Sequence, residues 1–114
     1  MDLAEEDTAK LRIVVLAGRL DSESASQLSA HLSDPARASR SSPVLIELSR
    51  LTYISSAGCR ALFLAARRAG EQGGKLALCG MSGAVERVVD LAGLATQIDI
   101  YPSREEALAE MAAA

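Results

Sequence analysis

Val44-Leu45-Ile46-Glu47-Leu48-Ser49-Arg50-Leu51-Thr52-Tyr53-Ile54-Ser55-Ser56-Ala57-Gly58-Cys59-Arg60-Ala61-Leu62 is the stretch from which the fold is read. From Val44 to Leu48 four of five residues are apolar without alternation, as in a strand of a parallel sheet buried on both faces. Ser49 to Ser55 reads as the connection. From Ser56 to Gly70 the period changes to that of a helix, with Cys59, Leu62, Phe63 and Ala66 inward and Arg60, Arg67, Arg68 and Glu71 outward. A strand that passes through hydroxyl-rich residues into a helix is one half of a βαβ unit.

The flanking segments repeat the alternation. Leu11 to Ala17 is a β-branched run stopped by Gly18. Asp21 or Ser22 caps a helix with Ala25, Leu28 and Leu32 on one face. Ser33 to Pro43 is polar and predicts a surface loop. Lys75 to Cys79 is a short strand ended by Gly80, and Ser82 opens a helix with Val85, Val88, Val89 and Ala92 inward. Ile98 to Tyr101 alternates as a strand, and Ser103-x-x-Glu106 is a capping box for a last helix carrying Ala107, Leu108 and Met111, whose Ala-rich end frays. Residues 1–10 are an edge strand or a frayed tail. The expectation is an α/β fold: one domain over 1–114, a small, mostly parallel sheet of four to five strands, and about four helices.

Composition narrows the function. The chain has 114 residues, enough for one domain, and 49% are hydrophobic, enough for a core. Aromatics are 3%, so that core is aliphatic. Residues 1–57 hold 6 basic and 8 acidic side chains and residues 58–114 hold 6 and 7, so no half is basic enough for a phosphate-backbone binder. Cys59 and Cys79 have no CxxC partners and the chain has one histidine, which excludes a zinc site and a disulfide scaffold. The acidic N-terminus and the lack of a long apolar run predict a cytoplasmic protein that does not insert into a membrane. Enzyme chemistry has little to stand on. The serine turn has no upstream glycine of a nucleophile elbow, His31 has no acid or nucleophile in pattern with it, and Gly80-x-x-Gly83 is neither a P-loop nor a dinucleotide fingerprint. No cofactor is expected. His31 reads as a boundary side chain, the cysteines as small core residues, and Glu47 as pointing to an edge or strand end.

Ser55 and Ser56 admit two readings. A hydroxyl at a helix start caps an orphan N–H. The same place tolerates a phosphate, because the helix dipole and free N–H groups favour negative charge.

Gly18-Arg19-Leu20-Asp21, then Val44 to Ser49, then Tyr53 to Leu62, followed by the Gly73-Gly74 turn, the strand to Cys79, Val85 to Gly93 and Ser103 to Leu108, resemble a STAS domain over roughly Leu11 to Met111. That family includes bacterial anti-sigma factor antagonists and the cytoplasmic tails of sulphate transporters. The resemblance implies partner switching. The unphosphorylated antagonist binds an anti-sigma factor that is also a serine kinase; phosphorylation at an Asp-Ser-Ser/Thr-Gly motif releases it, and a serine phosphatase resets the cycle. Here Ser55 stands where the family often has Asp, Ala57 stands directly before the Gly where many members carry a hydroxyl, and Cys59-Arg60 replaces Leu-Gly or Leu-Arg. The resemblance therefore assigns the phosphate to Ser56, with Ser55 second, and the partner surface to Asp21, Tyr53, Ile54, Ser55, Ser56, Ala57, Gly58 and Arg60. The alternative it carries is a subunit or regulator of a lipid or anion transporter. Oligomeric state stays open.

Overall fold

The computed structural model describes residues 1–34 and 43–112. The loop expected between Ser33 and Pro43 falls largely on 35–42, and the fraying terminus partly on 113–114, outside the described residues. The elements are β1 (Asp2–Glu5), β2 (Arg12–Leu20), α1 (Ser22–Leu32), β3 (Val44–Ile54), α2 (Ser56–Glu71), β4 (Leu76–Cys79), α3 (Gly83–Leu91), a 3-10 turn (Leu94–Thr96), β5 (Asp99–Tyr101) and α4 (Arg104–Ala112). They form one five-stranded sheet in the order β1-β2-β3-β4-β5. The β1–β2 pair is antiparallel and the others are parallel. The first ten residues thus supply an edge strand, and the α/β alternation is as expected.

β2, β3 and β4 bury residues on both faces of the sheet. Val14, Leu16, Ile46, Leu48 and Leu78 pack with Leu28 of α1, Leu62 of α2 and Val85 of α3. Ile13, Val15, Leu45, Ala77 and Cys79 pack with Ala107 and Met111 of α4. Three helices therefore cover one face and α4 covers the other, which is why the strand interiors read as continuous apolar runs. Both cysteines are free and buried, and burial lifts Cys79 to about 11.

Four expectations are corrected. Ser49 to Ile54 is strand, not connection. Of β3, only Val44 to Glu47 pair with β4, so the rest of β3 runs on beside β2 alone, with Leu51 and Ile54 inward and Arg50, Thr52 and Tyr53 exposed. Likewise β2 does not end at Gly18. That glycine takes φ +91 at a register shift and the strand continues to Leu20, a backbone that side chains other than glycine's rarely adopt. Glu47 lies within central β3, and Arg104 of α4 reaches it, Nε donating to Oε1 at 2.6 Å. Ala92 is exposed as the C-cap residue of α3; the core positions beyond it are Leu94 and Ile98.

Candidate functional site

The overhanging ends of β2 and β3 carry the candidate site. Ser55 N donates to Leu20 O at 2.9 Å, which ties the start of α2 to the end of β2. Ser55 is the N-cap of α2: its backbone is extended, and its hydroxyl accepts from Gly58 N at 3.1 Å. Ser55 is thereby occupied by capping. Ser56, the first helical residue, is exposed. The first turn of α2 holds no acidic side chain, whereas α1 has Glu23, α3 has Glu86, and α4 has Glu105 and Glu106. The positive end of the α2 dipole is therefore not offset by a carboxylate of its own.

Asp21 caps α1 with a reciprocal box. Ser24 N donates to Asp21 Oδ1 at 3.0 Å, and Asp21 N donates to Ser24 Oγ at 2.9 Å. The Ser24 backbone N–H, then its hydroxyl, hold the Asp21 carboxyl below the usual carboxylate range. Ile54 and Gly58 are buried, so they position the site rather than line its surface. Tyr53 is 40% exposed, Arg60 is exposed, and Ala57 is half-buried.

Arg19 is the residue that sequence reasoning left without a role. It lies opposite Tyr53 in the β2–β3 register, its guanidinium stacks over the tyrosine ring at 3.9 Å from the centroid, and its Nε stands 4.0 Å from Asp21 Oδ2. Its place in Gly18-Arg19-Leu20-Asp21 was visible, but its facing tyrosine depended on β3 continuing past Leu48. Arg19, Asp21, Tyr53 and Ser56 thus share one end of the molecule. Such a constellation can stack and ion-pair with a protein surface and can receive a phosphate.

His31 is distant from this site; its Nε2 lies 2.7 Å from Glu5 Oε1. Among the described residues no cluster of three His, Cys, Asp or Glu side chains could hold a metal ion, and no helix is long and apolar enough to cross a membrane.

Residues 2–107 match the family model described as STAS domain. The chain is 33% identical over 109 residues to a Bordetella bronchiseptica protein, BtrV, named as an anti-sigma factor antagonist, covering 96% of this chain and 93% of that one. It is 24% identical to the anti-sigma F factor antagonist of Paenibacillus polymyxa over 87% of this chain and 85% of that one. In fold it is similar to the anti-sigma factor antagonist SpoIIAA in its unphosphorylated form, with TM-score 0.80, 21% identity, and 99% and 98% of the two chains covered. The Bacillus cell fate determinant SpoIIAA in the phosphorylated form superposes with TM-score 0.70 at 21% identity over 96% and 98%.

Proposed function

This chain belongs to the STAS domain family, and on that premise we propose that it is a non-enzymatic anti-sigma factor antagonist that works by partner switching. In this reading it binds an anti-sigma factor with serine-kinase activity when Ser56 is free and releases it when Ser56 is phosphorylated; a serine phosphatase restores binding. The observation that carries the reading is the division of labour between the paired serines. Ser55 spends its oxygen on the N–H of Gly58, while Ser56 is exposed on the first turn of a helix that has no acidic side chain there. The relatives named as antagonists supply the partner class.

The physics of the switch follows from that position. A phosphate adds roughly two negative charges at pH 7. At the N-terminus of α2 those charges meet a favourable dipole and unpaired N–H groups, so the domain keeps its fold. The penalty falls on the interface, where a desolvated and unpaired charge costs several kcal/mol. ATP comes with the kinase.

The test is affinity capture with wild type, Ser56→Ala and Ser56→Asp as baits, followed by phosphosite mapping after incubation of the purified wild-type protein and captured kinase with ATP. A serine kinase held by wild type and by Ser56→Ala, lost from Ser56→Asp, and modifying Ser56 is the expected result. A transport ATPase or permease held equally by all three baits would replace this reading with that of a transporter subunit.

A further inference from the structure

A groove of about 300 Å³ runs beside α2, from Ala57 near its start to Gln72 just past its end, with α1 as its other wall. Its lining includes Ala25 and Leu32 of α1 and Ala57, Ala61 and Ala65 of α2, and these mostly small side chains leave the space between the two helices unfilled. Leu64, 42% exposed, stands on its rim. On either side of Leu64 along the helix stand Arg60 and Arg68, both exposed and both lining the groove.

Charge and spacing identify what fits there. The chain carries a net charge of -3, yet none of the described residues that line this groove is a carboxylate. Arg60 has no ion-pair or hydrogen-bond partner among the described residues, and Arg68 Nη1 donates to Ser33 Oγ at 3.1 Å, which leaves its other donors available. Residues 60, 64 and 68 follow one another at i, i+4, i+8, a single ridge about 12 Å long at 1.5 Å per residue. A second helix laid along that ridge would bring side chains two turns apart to the two guanidiniums and an apolar side chain between them into the groove. The ridge also begins four residues after Ser56, and side chains at i and i+4 are neighbours on a helix surface.

We infer that the α1–α2 groove is a docking surface for an amphipathic helix of the protein partner that carries carboxylates about two turns apart, and that Arg60 is shared between that helix and a phosphate on Ser56. The inference rests on the antagonist reading and deepens it. While Ser56 is unphosphorylated, Arg60 and Arg68 pair with the partner's carboxylates. Once phosphorylated, Ser56 holds Arg60 through its neighbouring phosphate, and the docking ridge loses one of its two charges.

The test uses the full chain and the purified kinase identified by the capture above, titrated calorimetrically at low and at moderate salt. Arg60→Glu/Arg68→Glu is expected to weaken binding about 100-fold or more, as charge reversal at a complementary interface does. Its melting temperature should fall by no more than a few degrees, since both guanidiniums are exposed and what is lost is the Arg68–Ser33 hydrogen bond and a favourable charge in the last turn of α2. Arg60→Lys/Arg68→Lys should retain binding within about tenfold, because the charge remains. Ala61→Trp, which fills the groove, should weaken binding about tenfold or more, since bulk in a packed contact displaces its neighbours. Replacing the partner helix's paired carboxylates with Arg should restore affinity for Arg60→Glu/Arg68→Glu. In an Arg60→Gln background the loss caused by Ser56→Asp should shrink severalfold. If Arg60→Glu/Arg68→Glu and Ala61→Trp bind like wild type while Ser56→Asp still releases the kinase, the groove is not the docking surface and the antagonist reading survives. If wild type sediments as a dimer that Ala61→Trp dissociates, the occupant is a second copy and the inference is overturned. If no kinase binds wild type, both the inference and the reading fall.

Discussion

Gly58 of α2 faces the end of β2 with no room for a side chain. A Cβ built there would stand 2.6 Å from Leu20 O and 2.9 Å from Ile54 Cγ1. The first of these is backbone, and its carbonyl already accepts from Ser55 N, so it has no freedom to retreat. Gly58→Ala must push α2 away from the sheet, and overpacking of this kind costs about 1–3 kcal/mol. Urea unfolding should show the midpoint fall with an unchanged slope; a midpoint equal to that of wild type would mean the helix moves without cost. Gly83, with open space around its added Cβ, is the control. This geometry also changes what the motif around Gly58 means. The sequence places Tyr53 to Arg60 at a strand-to-helix junction, and the structure keeps them there. Which of them face outward was beyond a pattern reading, because Ile54 and Gly58 are turned inward by contacts with Leu20 on a strand far away in sequence. Arg19 is the converse: its stack on Tyr53 comes from strand pairing.

At the level of elements, the three hydroxyl residues read as helix starts divide unequally. Ser55 Oγ accepts from Gly58 N and Ser103 Oγ accepts from Glu106 N at 3.2 Å, whereas Ser82 makes no side-chain capping bond. Ser55→Ala should therefore cost about 1 kcal/mol, the usual loss for an N-cap hydroxyl, while Ser82→Ala should fall within about 0.5 kcal/mol of wild type. Equal losses in thermal melts of the two variants would contradict this assignment. Caps and apolar periodicity are local properties, and the four helices were legible from them to within a residue or two. β3 was legible only in its first half. Val44 to Glu47 is sandwiched between two strands and two helical layers and, with Leu48, is apolar but for Glu47. From Ser49 onward β3 has one neighbouring strand and an open face, so its residues resemble a loop. Glu47 misled for a related reason: its half-buried carboxylate is matched by Arg104, 57 residues away, a pairing that no local window contains.

Over the whole molecule, one carboxylate joins three elements that are separate in sequence. Glu5 ends the edge strand β1. Its Oε1 accepts from Arg12 Nε at 2.7 Å on β2 and lies 2.7 Å from His31 Nε2 on α1. Arg12 is only 6% exposed, and its Nη2 and Nη1 donate to the carbonyls of His31 and Leu32 at 3.0 and 3.4 Å, closing the end of α1. Burial pushes the Glu5 carboxyl up, but the hydrogen bonds from Arg12, Asp7 and His31 together outweigh it and bring the pKa from 4.5 down to about 2. A carboxylate with a depressed pKa stabilises the fold fully above its unfolded value, and that stabilisation is lost as pH falls through the folded value. The window is therefore about pH 4.5 to 2. Asp7 acts with the opposite sign. Its hydrogen bond to Glu5, then burial, raise its pKa, so its favourable contribution is present at low pH and is lost as pH rises. Glu47 adds to the acid loss: burial raises it, but Arg104 and Ser49 hold it below the usual range. Glu5→Gln should cost about 3 kcal/mol near neutrality, because it leaves the Arg12 guanidinium buried without its counter-charge. Between pH 5 and pH 2.5 wild type should lose about 2 kcal/mol more than Glu5→Gln does, so the two stability curves converge in acid. Parallel curves from urea unfolding across that range would show that the Glu5 junction is not what makes this molecule acid-sensitive. A wider gap at low pH would mean that the protonated Asp7 carboxyl, bonded to Glu5, stabilises the acid form by more than the Glu5 titration costs.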